Sequence, residues 1–137
     1  MTDTIQLDQF LPRPPAVVWR SLTEPDRLAR WWAKGDIAPV VGHRFTLDMG
    51  KWGMQPCTVT EVESERLLSY TFAESTMDWT ITWRLVAEGS GTRLFLEHGG
   101  FDLSDPQHES AFRNMSQGWA SSVLPALARG LESVSAP

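Results

Sequence analysis

The segment DWTITWRLV, residues 78–86, sets Trp79, Ile81, Trp83 and Leu85 against Asp78, Thr80, Thr82 and Arg84. Successive side chains leave opposite sides of a strand, so this alternation predicts a strand with one apolar and one polar face. An apolar sheet face must be covered by a second layer, and that requirement constrains the rest of the chain. The same period runs through RFTLDM (Phe45, Leu47, Met49), TVTEV (58–62), LLSYTF (Leu68, Tyr70, Phe72) and TRLFLEH (Leu94, Leu96, His98). The connections are short, with GKWG at 50–53 and AEGSG at 87–91. Short turns between successive strands predict an antiparallel meander.

The covering layer is legible at the end of the chain. Phe112, Met115, Trp119, Val123, Ala126, Leu127 and Leu131 form one apolar stripe at helical spacing. Asp105 and Pro106 suit the N-cap and first position of that helix. The pattern covers about 25 residues, or about 40 Å of helix. Pro125 lies inside it and cannot donate to the Ser121 carbonyl, so the helix bends there or breaks at Leu124. Ahead of the meander, TIQLDQFL (4–11) reads as a strand with Ile5 and Leu7 on one face, stopped by PRPP at 12–15. AVVWRSL then reads as a short helix, and PDRLARWW as a second, ended by Gly35. Thr23 and Asp26 have the spacing of a capping box between them. The fold class expected is α+β: a curved antiparallel sheet of about six strands wrapped around a long C-terminal helix, with two short helices after the first strand.

Charge and cysteine content narrow the function. The 137 residues, expected to form a single domain 1–137, carry a net charge of −5 without a basic run, which argues against nucleic acid as partner. Cys57 is the single cysteine, and a reducing cytoplasm is the expected setting. MTDTIQLDQF lacks the pattern of a signal peptide, and no apolar run reaches the length of a membrane span. His43, His98 and His108 show no metal-ligand spacing, and no cofactor is expected. Cys57 has no local base, GSG at 89–91 is a turn lacking the lysine of a phosphate loop, and Glu61, Glu63 and Glu65 read as a solvated strand face and turn. His98 shares a strand face with Leu94 and Leu96, which reads as a neutral buried histidine in preference to an acid–base group.

Three stretches carry a family resemblance. PPAVVWRSLTEPDRLARWW is similar to the strand-end proline, helix, T-x-P and Trp opening of the START-like (SRPBCC) superfamily, which includes the major birch pollen allergen. GTRLFLEHGGF resembles its strand ending in a histidine and G-F, and Gly118-Trp119 resembles the glycine–tryptophan pair of its last helix. More narrowly, the chain resembles the branch named after the activator of the heat-shock protein 90 ATPase. The resemblance implies a helix-grip fold on which lipid carriers, hormone binders, cyclases, chaperone regulators and self-resistance proteins all occur, so it leaves the function open.

Seven Trp and six Phe raise the question of core or pocket. An empty cavity of about 300 Å³ costs on the order of 7 kcal/mol, so a space of that size must be hydrated, collapsed or occupied. The first expectation, resting mainly on the resemblance, is a binding protein that holds a hydrophobic or aromatic small molecule between the sheet and the C-terminal helix. Its expected lining is Phe45, Tyr70, Phe72, Trp79, Trp83, Met115, Trp119 and Val123, with Trp31 at the rim and Trp32 anchoring its helix to the sheet. Thr80, Thr82, Tyr70 or His98 are the candidate polar anchors. Trp52, in the tip GKWG, either folds back over the cavity mouth, meets a partner surface, or is incidental. The second expectation is a protein-interaction module acting on a chaperone, or a homodimer, and the third is a small cyclase- or hydrolase-like enzyme.

Overall fold

The computed structural model describes residues 2–74 and 77–132; Met1, Ser75, Thr76 and residues 133–137, which the expected domain span includes, lie outside the described residues. Strand β1 (Thr2–Leu11) is followed by helices α1 (Pro15–Thr23) and α2 (Pro25–Trp31). The meander comprises β2 (Arg44–Asp48), β3 (Met54–Glu63), β4 (Leu67–Phe72), β5 (Trp79–Glu88) and β6 (Gly91–Asp102). The last segment is α3 (Pro106–Gly118), a π-helical turn (Trp119–Val123) and α4 (Leu124–Glu132). The described strands form one six-stranded antiparallel sheet in the order β1-β6-β5-β4-β3-β2. This is the α+β helix-grip architecture expected from the sequence.

The period-two strands bury the expected face. Trp79, Ile81, Trp83 and Leu85 of β5 are buried, as are Leu68, Tyr70 and Phe72 of β4 and Leu94, Leu96 and His98 of β6. In the helix layer the buried residues are Trp119, Leu124, Leu127 and Leu131, while Phe112, Met115, Val123 and Ala126 pack against them half-buried. Asp105 caps α3 as expected, its carboxylate accepting from the Gln107 N–H at 2.9 Å.

Three local expectations give way to tertiary context. The Thr23–Asp26 capping box does not form: Thr23 Oγ1 donates instead to the Trp19 carbonyl at 2.8 Å, and α2 starts at Pro25 with no side-chain cap. Helix α2 stops at Trp31, short of Gly35, because residues 34–36 turn to guard the β2 edge of the sheet. Asp48 N–H donates to the Lys34 carbonyl at 2.8 Å, and Gly35 forms an isolated bridge with Leu47. Backbone lies so close that a Cβ at Gly35 would meet the Thr46 carbonyl oxygen and come within 2.8 Å of Leu47 Cδ2. Gly35→Ala is therefore expected to cost about 1–3 kcal/mol, read as a lower urea midpoint at unchanged slope.

The third concerns Pro125. The helix does not break at Leu124; it widens into the π-turn ahead of the proline and continues as α4. Leu124 N–H reaches back five residues to the Trp119 carbonyl, and Ser121 Oγ donates to the Gln117 carbonyl at 2.6 Å. The wider turn absorbs the donor missing at Pro125.

Candidate functional site

An open cleft of about 440 Å³ lies where α3 passes the tips of the strands. Phe72 and Ala73 at the end of β4, Met77, and Trp79 at the start of β5 form one wall. Gln107, Ser110, Ala111, Asn114 and Met115, one face of α3 at helical spacing, form the opposite wall. Met49, Trp52 and Gln55 come from the β2–β3 connection and its flanks. The lining combines thioether and aromatic surface with neutral amides and one hydroxyl, and none of the twelve residues is ionisable. Such a surface can hold an uncharged apolar molecule, and it supplies no nucleophile–base pair.

The expected site residues separate into two groups. Trp52, Phe72, Trp79 and Met115 line the cleft. Trp31, Tyr70, Trp83, His98 and Trp119 lie deeper, all buried, and Val123 sits half-buried in the π-turn; none of these lines the cleft. Phe45 packs edge-on to Tyr70 at 5.3 Å and borders a second, shallower pocket of about 310 Å³ with Asp36, Arg44 and Glu74. Trp31, expected at the rim, is buried and donates its indole N–H to the Ser21 carbonyl at 2.9 Å. Thr80 and Thr82 stand on the face of β5 opposite Trp79 and Trp83; Thr82 Oγ1 shares a hydrogen bond with Ser69 Oγ at 2.8 Å.

The deep group forms a wall of rings. Trp32 lies 5.0 Å from Trp119, 6.1 Å from Phe72 and 6.5 Å from Trp83. Trp83 also meets Trp31 edge-on at 5.7 Å and Trp119 at 5.6 Å. Its N–H donates to the Tyr70 hydroxyl at 3.0 Å. Edge-to-face pairs at these spacings suit the charge distribution of aromatic rings. The space beneath the π-turn, where the sequence suggested a pocket, is occupied by these rings.

Two polar atoms in this region lack partners among the described residues. Trp119 Nε1 donates to His98 Nδ1 at 3.1 Å, so the proton of the neutral imidazole sits on Nε2. That Nε2 and the Nε1 of Trp79 are buried with no hydrogen-bond partner among the described residues. The two rings meet edge-on at 5.3 Å. An unpaired buried donor costs about 1–3 kcal/mol. Burial also pulls the His98 pKa down to about 3, so the ring is neutral at neutral pH.

The turn bordering the cleft is held in unusual backbone conformations. Ala73 has φ 59° and Asp78 φ 54°, both in the left-handed region. Glu74 pins the turn to β3 and β4: its Oε1 accepts from Thr58 Oγ1 at 2.6 Å and Thr71 Oγ1 at 2.8 Å, which holds its carboxyl below the usual range. Cys57 is buried nearby, and desolvation, aided by the Glu74 charge, pushes its thiol up to about 12, so it is a poor nucleophile. Among the described residues no group of His, Cys, Asp and Glu side chains is placed to hold a metal ion. Nor is any helix of those residues long and apolar enough to cross a membrane.

Sequence reasoning missed Met49, Gln55, Ala73, Met77 and the face of α3 at Gln107, Ser110, Ala111 and Asn114. The i, i+3, i+4, i+7 spacing of that last set was a usable signal, but its polar side chains disguise it as a solvated face.

A sheet curled around a terminal helix, with a cleft at the helix's leading end, defines a domain of the START-like (SRPBCC) class. The sequence profile described as activator of Hsp90 ATPase homolog 1-like protein matches residues 12–132, and the chain belongs to that family. Protein MLL2253 from Mesorhizobium loti is similar in structure, with a TM-score of 0.85 and 29% identity over 98% of this chain and 100% of that one. Protein BH1534 from Bacillus halodurans gives a TM-score of 0.82 at 26% identity, over 96% and 99% of the two chains. The Aha1 dimer from Colwellia psychrerythraea shares the fold, with a TM-score of 0.82 at 20% identity over 96% and 97%. No curated protein matches the chain in sequence.

Proposed function

We propose that this chain is a binding protein that takes up a hydrophobic or aromatic small molecule in the cleft between α3 and the strand tips. The observation carrying this reading is the 440 Å³ cleft itself, open and lined by Trp52, Phe72, Trp79, Met49, Met77 and Met115. Pockets of this size, largely apolar with a few neutral polar groups, suit small-molecule ligands. The neutral dye N-phenyl-1-naphthylamine provides the test. It is expected to bind the native chain saturably, and Ala111→Trp, which fills the cleft from a half-buried position on α3, is expected to weaken binding at least about tenfold at unchanged Tm. Equal binding by both proteins would place the dye elsewhere and overturn the reading.

A second reading is a partner-binding role of the Hsp90-activator type or a homodimer, as the family description and the Colwellia dimer suggest. The observation favouring it is Trp52, which is 67% exposed at the β2–β3 tip with Lys51 Nζ 4.7 Å from its ring centroid. An exposed indole of this kind is a common anchor at protein interfaces. Under this reading Trp52→Ala abolishes association with a purified Hsp90-type chaperone, or self-association, whereas the cleft-filling Ala111→Trp leaves that association intact.

A further inference from the structure

We infer that the cleft's ligand is an uncharged aromatic molecule carrying a carbonyl-type acceptor, and that this acceptor is bound by the indole N–H of Trp79. The inference rests on the cleft being a ligand site and narrows what it takes.

Trp79 is the residue where the cleft and an unsatisfied donor coincide. Its ring lines the cleft, yet its Nε1 is buried with no partner among the described residues. An indole nitrogen can only donate, so its complement must be an acceptor. Trp79 and Phe72, nearly parallel at 6.2 Å and 13°, present their rings side by side in the cleft wall, so an aromatic ligand packs against their edges and not between them. The lining excludes charge as firmly as it invites apolar surface. No side chain among the twelve is ionisable, so a carboxylate or ammonium seated beside Trp79 would be desolvated with no counter-charge in the lining, the Lys51 ammonium standing over Trp52. The net charge of −5 further opposes an anion.

The surroundings allow the acceptor to reach the buried nitrogen. Helix α3 covers this end of the sheet without a single fully buried residue, and it touches Trp79 through His108, whose ring stands edge-on at 5.8 Å. The π-turn separates α3 from the firmly buried α4. An outward shift of the first turns of α3 is the movement this access would require, α4 being held in place by Leu124, Leu127 and Leu131. The left-handed backbone at Ala73 and Asp78 brackets the same wall, and strain of this kind concentrates where a fold positions groups for binding.

Three probes of one shape test the inference on the native chain: 2-acetonaphthone, 2-ethylnaphthalene and 2-naphthoate. Affinities are read by tryptophan emission, and the seven indole N–H resonances are followed in a ¹⁵N-labelled sample, that of Trp79 being assigned by its loss in Trp79→Phe. The ketone is expected to bind at least about tenfold more tightly than the hydrocarbon and the carboxylate, and to move the Trp79 indole proton downfield. In Trp79→Phe the advantage of ketone over hydrocarbon is expected to vanish while hydrocarbon binding persists. Should that variant not fold, the Trp79 indole proton is assigned in the native chain by its NOE contacts to the neighbouring Phe72 and His98 rings, and the probe series and that proton's shift decide alone. Equal affinity for ketone and hydrocarbon with an unmoved Trp79 proton would overturn the acceptor assignment and leave the apolar cleft standing. Naphthoate binding as tightly as the ketone would overturn the exclusion of charge. If none of the three binds, the cleft reading falls with the inference.

Discussion

Trp83→Ala is expected to lower the unfolding free energy by about 3–5 kcal/mol, a large part of the stability of a domain this size. Trp83 is 0% exposed and lies at the centre of the ring wall, against Trp31, Trp32 and Trp119. Truncation removes its contacts and opens a hole that three neighbouring indoles cannot fill without leaving their own partners. It also strips the buried Tyr70 hydroxyl of the donor at 3.0 Å. Trp83→Phe keeps a six-membered ring in place but loses the N–H and the rest of the indole, so a smaller cost of about 1–3 kcal/mol is expected. Urea denaturation measures both as shifts in midpoint. A loss under about 2 kcal/mol for the alanine variant would mean that the wall of rings collapses readily and is not rigidly packed.

The second large effect is acid sensitivity centred on His98. Its pKa is about 3 in the folded chain because burial disfavours the cation, against about 6.5 when unfolded. The unfolded chain therefore takes up this proton first as pH falls. The contribution is fully present above about pH 6.5 and is lost progressively toward pH 3; at pH 5 the loss is about 2 kcal/mol. His98→Gln keeps an acceptor for the Trp119 indole and removes the titration. Between pH 7 and pH 5 the native chain should lose about 2 kcal/mol more stability than this variant, as measured by urea unfolding at both pH values. The lowered pKa of Glu74 adds acid lability only below its ordinary value of 4.5, outside that interval. Parallel losses in the two proteins would show that the imidazole is not held neutral by burial.

The fold was legible wherever one local signal had one structural meaning. The alternation in DWTITWRLV, the stripe from Phe112 to Leu131 and the Asp105–Pro106 cap each specify an element without reference to the rest of the chain. The site was less legible because its determinants are tertiary. Trp79 and Trp83 occupy the same face of the same strand, two pleats apart, so their period is identical. One lines the cleft and the other is sealed in the wall, according to whether α3 or the α2–π-turn contact lies above it. His98 was legible as a buried histidine, but its tautomer depends on Trp119, which is distant in sequence and meets it at 3.1 Å. The α3 face was missed for the opposite reason: Gln107, Ser110 and Asn114 carry the polarity of a solvated surface, and only the arrival of Trp52 and Met77 across from them makes a cleft.

The π-turn has a consequence for how the two ends of the last helix are aimed. One residue of an α-helix corresponds to about 100° of rotation, so the extra residue accommodated between Trp119 and Val123 resets the angular phase of α3 relative to α4. Helix α4 is keyed to the sheet by Leu124, Leu127 and Leu131, whereas α3 is free to point Ala111 and Met115 along a different bearing, toward the cleft. A single-residue deletion within 119–123 would lock both segments to one bearing and swing those two side chains away from the opening. The span that looks like a flaw in the helix is thus what lets one element serve as both keel and rudder.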